Sequence, residues 1–255
     1  MKYKKITNSD ITFFIKTLSK ENVFCSEVDL KKYSHDETED LSYLPEIVLK
    51  PSSAKEISEC LEYCNRQNIP VTTCGARTGL SGGSIPLHGG VALSVENLNK
   101  IISIDKENLQ ATVESGVINQ NFKSEVEKSG LFYPPDPASL GSCMLGGNVA
   151  ENSGGPKALK YGVTRDYVLN LEVVLADGSI IWTGANVLKN ATGYSLTDLI
   201  VGSEGTLAVI TKIVFKLIAL PQKSATMLIP FKSAEDACKS CLLYTSDAAD
   251  ESVSV

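Results

Sequence analysis

At 255 residues, 43% hydrophobic and 21% charged, the chain has the make-up of a globular protein with ample apolar material for a core. A formal net charge of −6 and a pI near 5.1 exclude the basic surface that nucleic-acid binding requires. No apolar run approaches the ~18 residues that span a bilayer, and no apolar h-region follows the charged start Met1-Lys-Tyr-Lys-Lys-Ile, so a cytoplasmic location is expected.

In chain order, the first helix is expected over Asp10 to Leu18, where Ile11, Phe14, Ile15 and Leu18 form a stripe behind a Ser9 cap. The polar, acidic stretch from Ser34 to Ser42 reads as a connection. Ile47 to Leu49 is a short strand stopped by Pro51, and Ser52-Ser53 cap a helix with Ile57, Leu61 and Cys64 on one face. Pro70 to Cys74 is a second strand, parallel to the first because a helix joins them. Gly90 to Val95 is a third. Ile101 to Ile104 and Gln110 to Val113 pair as a hairpin, and a helix from Asn119 to Ser129 turns Phe122 and Val126 inward before Gly130.

The second half reads as more antiparallel. Leu169 to Ala176 and Ser179 to Trp182 flank Asp177-Gly178, a dipeptide suited to a type I′ hairpin turn. Thr206 to Ile218 alternates, with Leu207, Val209, Ile213, Phe215 and Leu217 on one face and Ala208, Ile210, Lys212, Val214 and Lys216 on the other. Beyond Gln222, Met227 to Phe231 is expected as a strand and Ser233 to Cys238 as a helix start. The seven cysteines read as reduced thiols. Only Cys238 and Cys241 make a C-x-x-C, with no second pair to complete a zinc site.

Glycine carries the functional signal, since thirteen of the nineteen glycines fall between Gly75 and Gly155, in loops. The first cluster, Cys74 to Gly83, follows a strand directly. Without Cβ atoms in the way, its backbone N–H groups can converge on an anion, with Thr78 and Ser81 adding hydroxyls and Arg77 a charge. A diphosphate fits. No G-x-x-x-x-G-K-[ST] is present and no G-x-G-x-x-G, which removes the P-loop and Rossmann readings. A second cluster joins the rigid Tyr133-Pro-Pro-Asp-Pro-Ala-Ser139 to Gly146-Gly-Asn-Val-Ala-Glu-Asn-Ser-Gly-Gly155, whose asparagines suit the edge of a heteroaromatic ring. A third, Gly202-Ser-Glu-Gly-Thr206, opens the long strand. Three such turns at strand ends can line one slot.

Across these clusters the chain resembles the FAD-linked oxidases of the vanillyl-alcohol-oxidase type, and within them the group formed by the FAD subunit of glycolate oxidase and by D-lactate dehydrogenase. The resemblance runs from about Tyr33 to Pro230 and is most specific at Tyr33-Ser-His-Asp, Gly75 to Pro86, Pro134 to Gly155, Leu159-Lys-Tyr-Gly162 and Leu188 to Leu207. It implies an α+β, PCMH-type FAD-binding domain over 41–221, in two α/β subdomains of about 41–115 and 116–221. A helical segment (1–40) would precede it and a truncated start of a cap domain (222–241) follow it. Residues 242–255 match nothing in the family and read as a non-native tail.

By the same resemblance, Gly75, Ala76, Arg77, Thr78, Gly79, Leu80, Ser81 and Gly82 hold the pyrophosphate. Pro135, Asp136, Pro137, Ser142, Gly146, Gly147, Asn148, Asn152 and Gly155 line the flavin and ribityl region, and Glu204, Gly205 and Ile210 meet the adenosine end. Arg77 stands where many relatives carry glycine or asparagine, which leaves open whether it faces phosphate or solvent. Relatives that attach flavin covalently use a histidine in the first loop. None is present here, so non-covalent FAD is expected, with His35 and His88 in surface or structural roles. The family's substrate pocket, built by a cap and a His/Glu-rich segment with or without a divalent metal, lies outside this chain. The implied activity is oxidation of a small 2-hydroxy acid, with electrons passing to a quinone, an iron–sulfur subunit or another acceptor, from the cytoplasm or the inner face of a membrane. The chain alone is expected to be inactive. The alternatives are a non-enzymatic FAD-binding subunit of a larger complex, or a D-2-hydroxyglutarate dehydrogenase or ether-lipid synthase on the same domain.

Overall fold

The computed structural model describes residues 3–223 and 228–241. Met227 and the 242–255 tail lie outside them. Helix α1 (Asn8–Leu18) starts two residues earlier than expected, because Thr7 rather than Ser9 caps it. The Thr7 N–H and hydroxyl both donate to the buried Asp10 carboxylate, at 2.8 and 2.6 Å. Strand β1 (Val23–Phe24) and the Ser26-capped helix α2 (Glu27–Lys32) follow. Neither has a fully buried residue, so neither leaves a periodic trace in the sequence.

Strand β2 (Ile47–Leu49), helix α3 (Ala54–Gln67), β3 (Val71–Cys74) and β4 (Val91–Ser94) match the β-α-β reading. The sheet order is β1-β2-β4-β3. Both β2 and β3 run parallel to β4, which lies between them, and β1 adds an antiparallel edge. On one face α1 and α3 close a core of Phe14, Leu18, Ile47, Leu49, Ile57, Leu61, Val91 and Leu93.

The second sheet is antiparallel throughout. It contains β5 (Ile101–Asp105), β6 (Gln110–Glu114), β8 (Val168–Leu175), β9 (Ile180–Trp182) and β10 (Ala208–Lys216), ordered β5-β6-β10-β8-β9. The β5–β6 hairpin therefore belongs to this sheet, whereas a division near residue 115 would assign it to the first. Helix α4 (Asn119–Lys128), strand β7 (Leu131–Phe132) and helix α5 (Leu145–Glu151) cover one face, around Val113, Phe122, Tyr133, Leu145, Leu171 and Phe215. On the other face Val174 and Val209 join the core beneath α3, which fastens the two sheets together. Helices α6 (Ala158–Tyr161) and α7 (Leu196–Ile200) and strand β11 (Ile218–Ala219, paired with β7) complete the unit.

Three local expectations change. The Asp177-Gly178 turn is not type I′: only Gly178 has positive φ (+87°), Gly178 N–H donates to Leu175 O, and Leu175 N–H donates to Ser179 O. That is a three-residue loop with a left-handed glycine. The alternation of β10 breaks at Thr211, where the register against β8 slips between Ile210 and Lys212. Ala208 and Ile210 consequently share the core with Ile213, Phe215 and Leu217, while Val209 faces the other way and Leu207 is exposed. Finally, residues 228–231 form no strand, whereas 234–241 are helical as expected.

Candidate functional site

Where β3 ends, the chain enters the 75–84 loop beside the junction of the two sheets. Among the described residues, none of the backbone N–H groups from Ala76 to Ser84 donates to another group of the protein. The other two glycine clusters are drawn to the same place through α5. Gly202 and Glu204 N–H donate to the Val149 and Ala150 carbonyls, both at 3.0 Å, and the Ser81 hydroxyl donates to the Glu151 carboxylate at 3.1 and 3.2 Å. The connection after α2 joins as well, since Glu37 N–H donates to Gly79 O at 3.0 Å.

Between these segments lies an open cleft of about 870 Å³, counting the space at its mouth that is open to solvent. Of the residues expected from the sequence, Gly75, Ala76, Arg77, Thr78, Gly79, Gly146, Gly147, Asn148, Glu204, Gly205 and Ile210 line it. Leu80 and Ser142 are solvent-exposed and Gly82 packs toward Ile85 and Leu41. Ser81 reaches Glu151 beside the cleft. Pro135, Asp136, Pro137, Asn152 and Gly155 are not among the lining residues: a Cβ on Gly155 would fall 2.3 Å from Asp136 O, and Asn152 caps α5 while its Oδ1 accepts the Arg165 N–H at 2.9 Å.

Sequence reasoning missed Asp36, Ser115, Ser139, Cys143, Met144 and Glu151, which also line the cleft. The signal for Ser115 was its neighbour Gly116, which closes β6 so tightly that a Cβ there would fall 2.3 Å from Val95 O. Arg77 has a left-handed backbone, φ +59°, which accounts for glycine or asparagine being favoured at such a position. Its guanidinium lies 4.1 Å over the Tyr33 ring and 3.6 Å from Glu96, which also holds Lys50 at 2.8 Å. The same guanidinium donates to Gly75 O at 3.3 Å, so its charge is shared between Tyr33, Glu96 and the first carbonyl of the loop.

Two buried polar atoms of the cleft lining, Ser115 Oγ and Asn148 Nδ2, have no partner in the protein. Leaving such atoms unpaired is costly, so they point to a polar ligand. A Cβ on Gly147 would meet nothing within 4 Å, which leaves bare backbone facing open space. Free N–H groups for phosphates, bare glycine backbone facing open space and orphaned polar atoms in the lining fit a flavin nucleotide.

The model of the FAD-binding domain family matches residues 45–184, and the chain belongs to that family, with FAD as its cofactor. It is 45% identical over 219 residues, 86% of the chain, to glycolate oxidase subunit GlcD of Bacillus subtilis. To a D-lactate dehydrogenase of Anaerostipes hadrus it is 41% identical over 235 residues, 92% of the chain. It spans 47% and 49% of those relatives, about half of each. Among solved structures, an alkyldihydroxyacetonephosphate synthase superposes with a TM-score of 0.76 at 20% identity, over 88% of this chain and 42% of that one, a likeness of fold. No helix among the described residues is long and apolar enough to cross a membrane.

Proposed function

We propose that this chain is the FAD-binding half of a flavin-dependent dehydrogenase that oxidises a small 2-hydroxy acid, such as D-lactate or glycolate, to the 2-oxo acid. The observation that carries the reading is identity above 40% to both a glycolate oxidase subunit and a D-lactate dehydrogenase. Loop 75–82 would take the diphosphate on its free N–H groups. Ser115 and Asn148 would donate to the polar part of the cofactor, and Gly146-Gly147 would let it lie against the backbone of α5. Bound FAD would supply the hydride acceptor. With no histidine in the loop or the cleft lining, the cofactor would be held non-covalently.

The group that takes the hydroxyl proton would reside in the half that this chain does not span, since His35 bonds Ser34, His88 packs at a tilt against Tyr3 and neither lines the cleft. Electrons would leave to a quinone, an iron–sulfur partner or another acceptor. Cys25, Cys60, Cys64, Cys74, Cys143 and Cys238 form no disulfide, which fits a reducing, cytoplasmic setting. The test is to load the purified chain with FAD and add D-lactate or glycolate, alone and after fusion to the C-terminal half of the Bacillus subtilis relative. The fused protein should lose its yellow colour with substrate and the isolated chain should keep it. Bleaching of the isolated chain, or none in the fusion with any 2-hydroxy acid, would overturn the proposal.

A further inference from the structure

We infer that Glu151 carries a proton when the FAD diphosphate is bound, so that cofactor binding to this chain takes up a proton from solvent. The inference rests on the cleft being the FAD site and deepens that reading. Glu151 closes α5, and its carboxylate lies over the anion loop: Oε1 is 3.5 Å from the position of a Cβ on Gly79 and 3.4 Å from one on Gly83. Both carboxylate oxygens accept from Ser81 Oγ. The carboxylate thus rests on the same loop whose N–H groups are free for an anion.

The charges around it make that position costly for a second anion. Glu204, from the third glycine turn, brings its Oε2 to 3.6 Å from the same Gly83 position. Asp36, from the connection after α2, lines the same cleft. Among the described residues Arg77 is the one cation in the lining, and its guanidinium is held by Tyr33, Glu96 and Gly75 O. Arg165, next to Asn152, is spent on the Asp198 and Val201 carbonyls at 2.6 and 2.7 Å. Bonds from the third loop to the Val149 and Ala150 carbonyls fix the end of the helix, so that Glu151, though solvent-exposed, is rooted at the rim of the cleft. A diphosphate brings two further negative charges into this lining. Protonation of Glu151 removes one repulsion and turns an acceptor-only group into a hydrogen-bond donor toward the phosphates.

Partial burial already pushes the Glu151 carboxyl upward, with Glu204 and Asp36 adding to the rise and the Ser81 hydrogen bond opposing it. A bound diphosphate raises it further. Affinity should therefore be greatest below the free-protein pKa of Glu151 and fall as pH rises above it, by up to about tenfold per pH unit for one linked proton.

The experiment is calorimetric titration of the full chain near neutral pH in buffers of different ionisation enthalpy, with EDTA present. The probes are FAD, whose internal diphosphate does not titrate near neutrality, and riboflavin. FAD should take up a sizeable fraction of a proton and riboflavin none. The uptake should vanish in Glu151→Gln, which keeps an acceptor for Ser81, and persist in Asp36→Asn. FAD binding without proton uptake, equal uptake with riboflavin, uptake that survives in Glu151→Gln, or affinity that requires added magnesium would each overturn the assignment. Should Glu151→Gln fail to fold, the wild-type contrast between FAD and riboflavin still tests the uptake, and Glu151→Ala, which also lacks the carboxyl, tests the residue. A chain that binds no FAD at any pH would instead overturn the reading of the cleft.

Discussion

Gly146 and Gly147 are adjacent on α5, yet a methyl group at each meets opposite surroundings. A Cβ on Gly146 would fall 2.6 Å from Ser115 Cβ and 3.0 Å from Ser115 O, inside the contact between the helix and the end of β6. One on Gly147 enters open space in the cleft. Gly146→Ala is therefore expected to destabilise the fold by about 1–3 kcal/mol through overpacking. Gly147→Leu should leave the melting temperature nearly unchanged and abolish FAD binding. Thermal unfolding of the two variants, each with and without FAD, checks the contrast. A Gly147→Leu protein that still binds FAD would place the cofactor elsewhere. This difference was not visible in the sequence, where Gly146-Gly147 read as one motif. Arg77 was half legible: its departure from glycine or asparagine flagged the position, but only the packed structure shows the Tyr33 ring and Glu96 claiming its charge.

At the scale of elements, the parallel strands and the helix between them were legible because Ile57, Leu61 and Cys64 recur at helical spacing and Val71 to Cys74 is β-branched. What escaped was set by pairing rather than by pattern. The Thr211 bulge inverts the faces of β10 through its partner β8, and the strand is apolar on both faces from Ala208 to Ile210, so alternation there does not betray the inversion. Lys123 was another blind spot. On α4, which otherwise reads as an ordinary amphipathic helix, its ammonium is buried and donates to Pro134 O and Pro135 O, both at 3.1 Å. Those carbonyls belong to a loop whose prolines supply no N–H of their own.

Burial, with Lys157 alongside, pulls Lys123 down to about 8, against roughly 10.4 for a free lysine. Between those two values the unfolded chain binds more protons than the folded one, so this group's contribution makes stability rise with pH across that window. Compared with Lys123→Met at the same pH, the wild type should gain on the order of 1–3 kcal/mol from about pH 7 to about pH 10. Buried Cys60, Cys64 and Cys74, whose thiols burial pushes upward, drive stability the other way as pH rises, but they act equally in both proteins. Denaturant titrations of the pair across this range give the difference directly. A flat difference would mean that Lys123 does not titrate there.

Across the whole molecule, the two sheets have well-filled cores, yet large apolar side chains remain uncovered beyond them. Tyr194 is 97% exposed, Leu188 75% and Leu159 74%, with Val187, Leu196 and Leu199 also exposed in the segment around α7. Ordinary surfaces carry isolated apolar residues, but a run of this density in one segment is an association liability. The expectation is that the chain by itself self-associates in a concentration-dependent way and binds a hydrophobic dye, with or without FAD, because these residues are not among those lining the cleft. Replacing Tyr194 and Leu199 together by serine should reduce both effects and leave FAD affinity unchanged, since neither side chain supports the core. Sedimentation velocity over a range of concentrations reads the association. A monodisperse monomer that excludes the dye would show that these side chains cover one another in solution. The apolar face would then be a closed surface of the FAD-binding half and not one that a further half must cover.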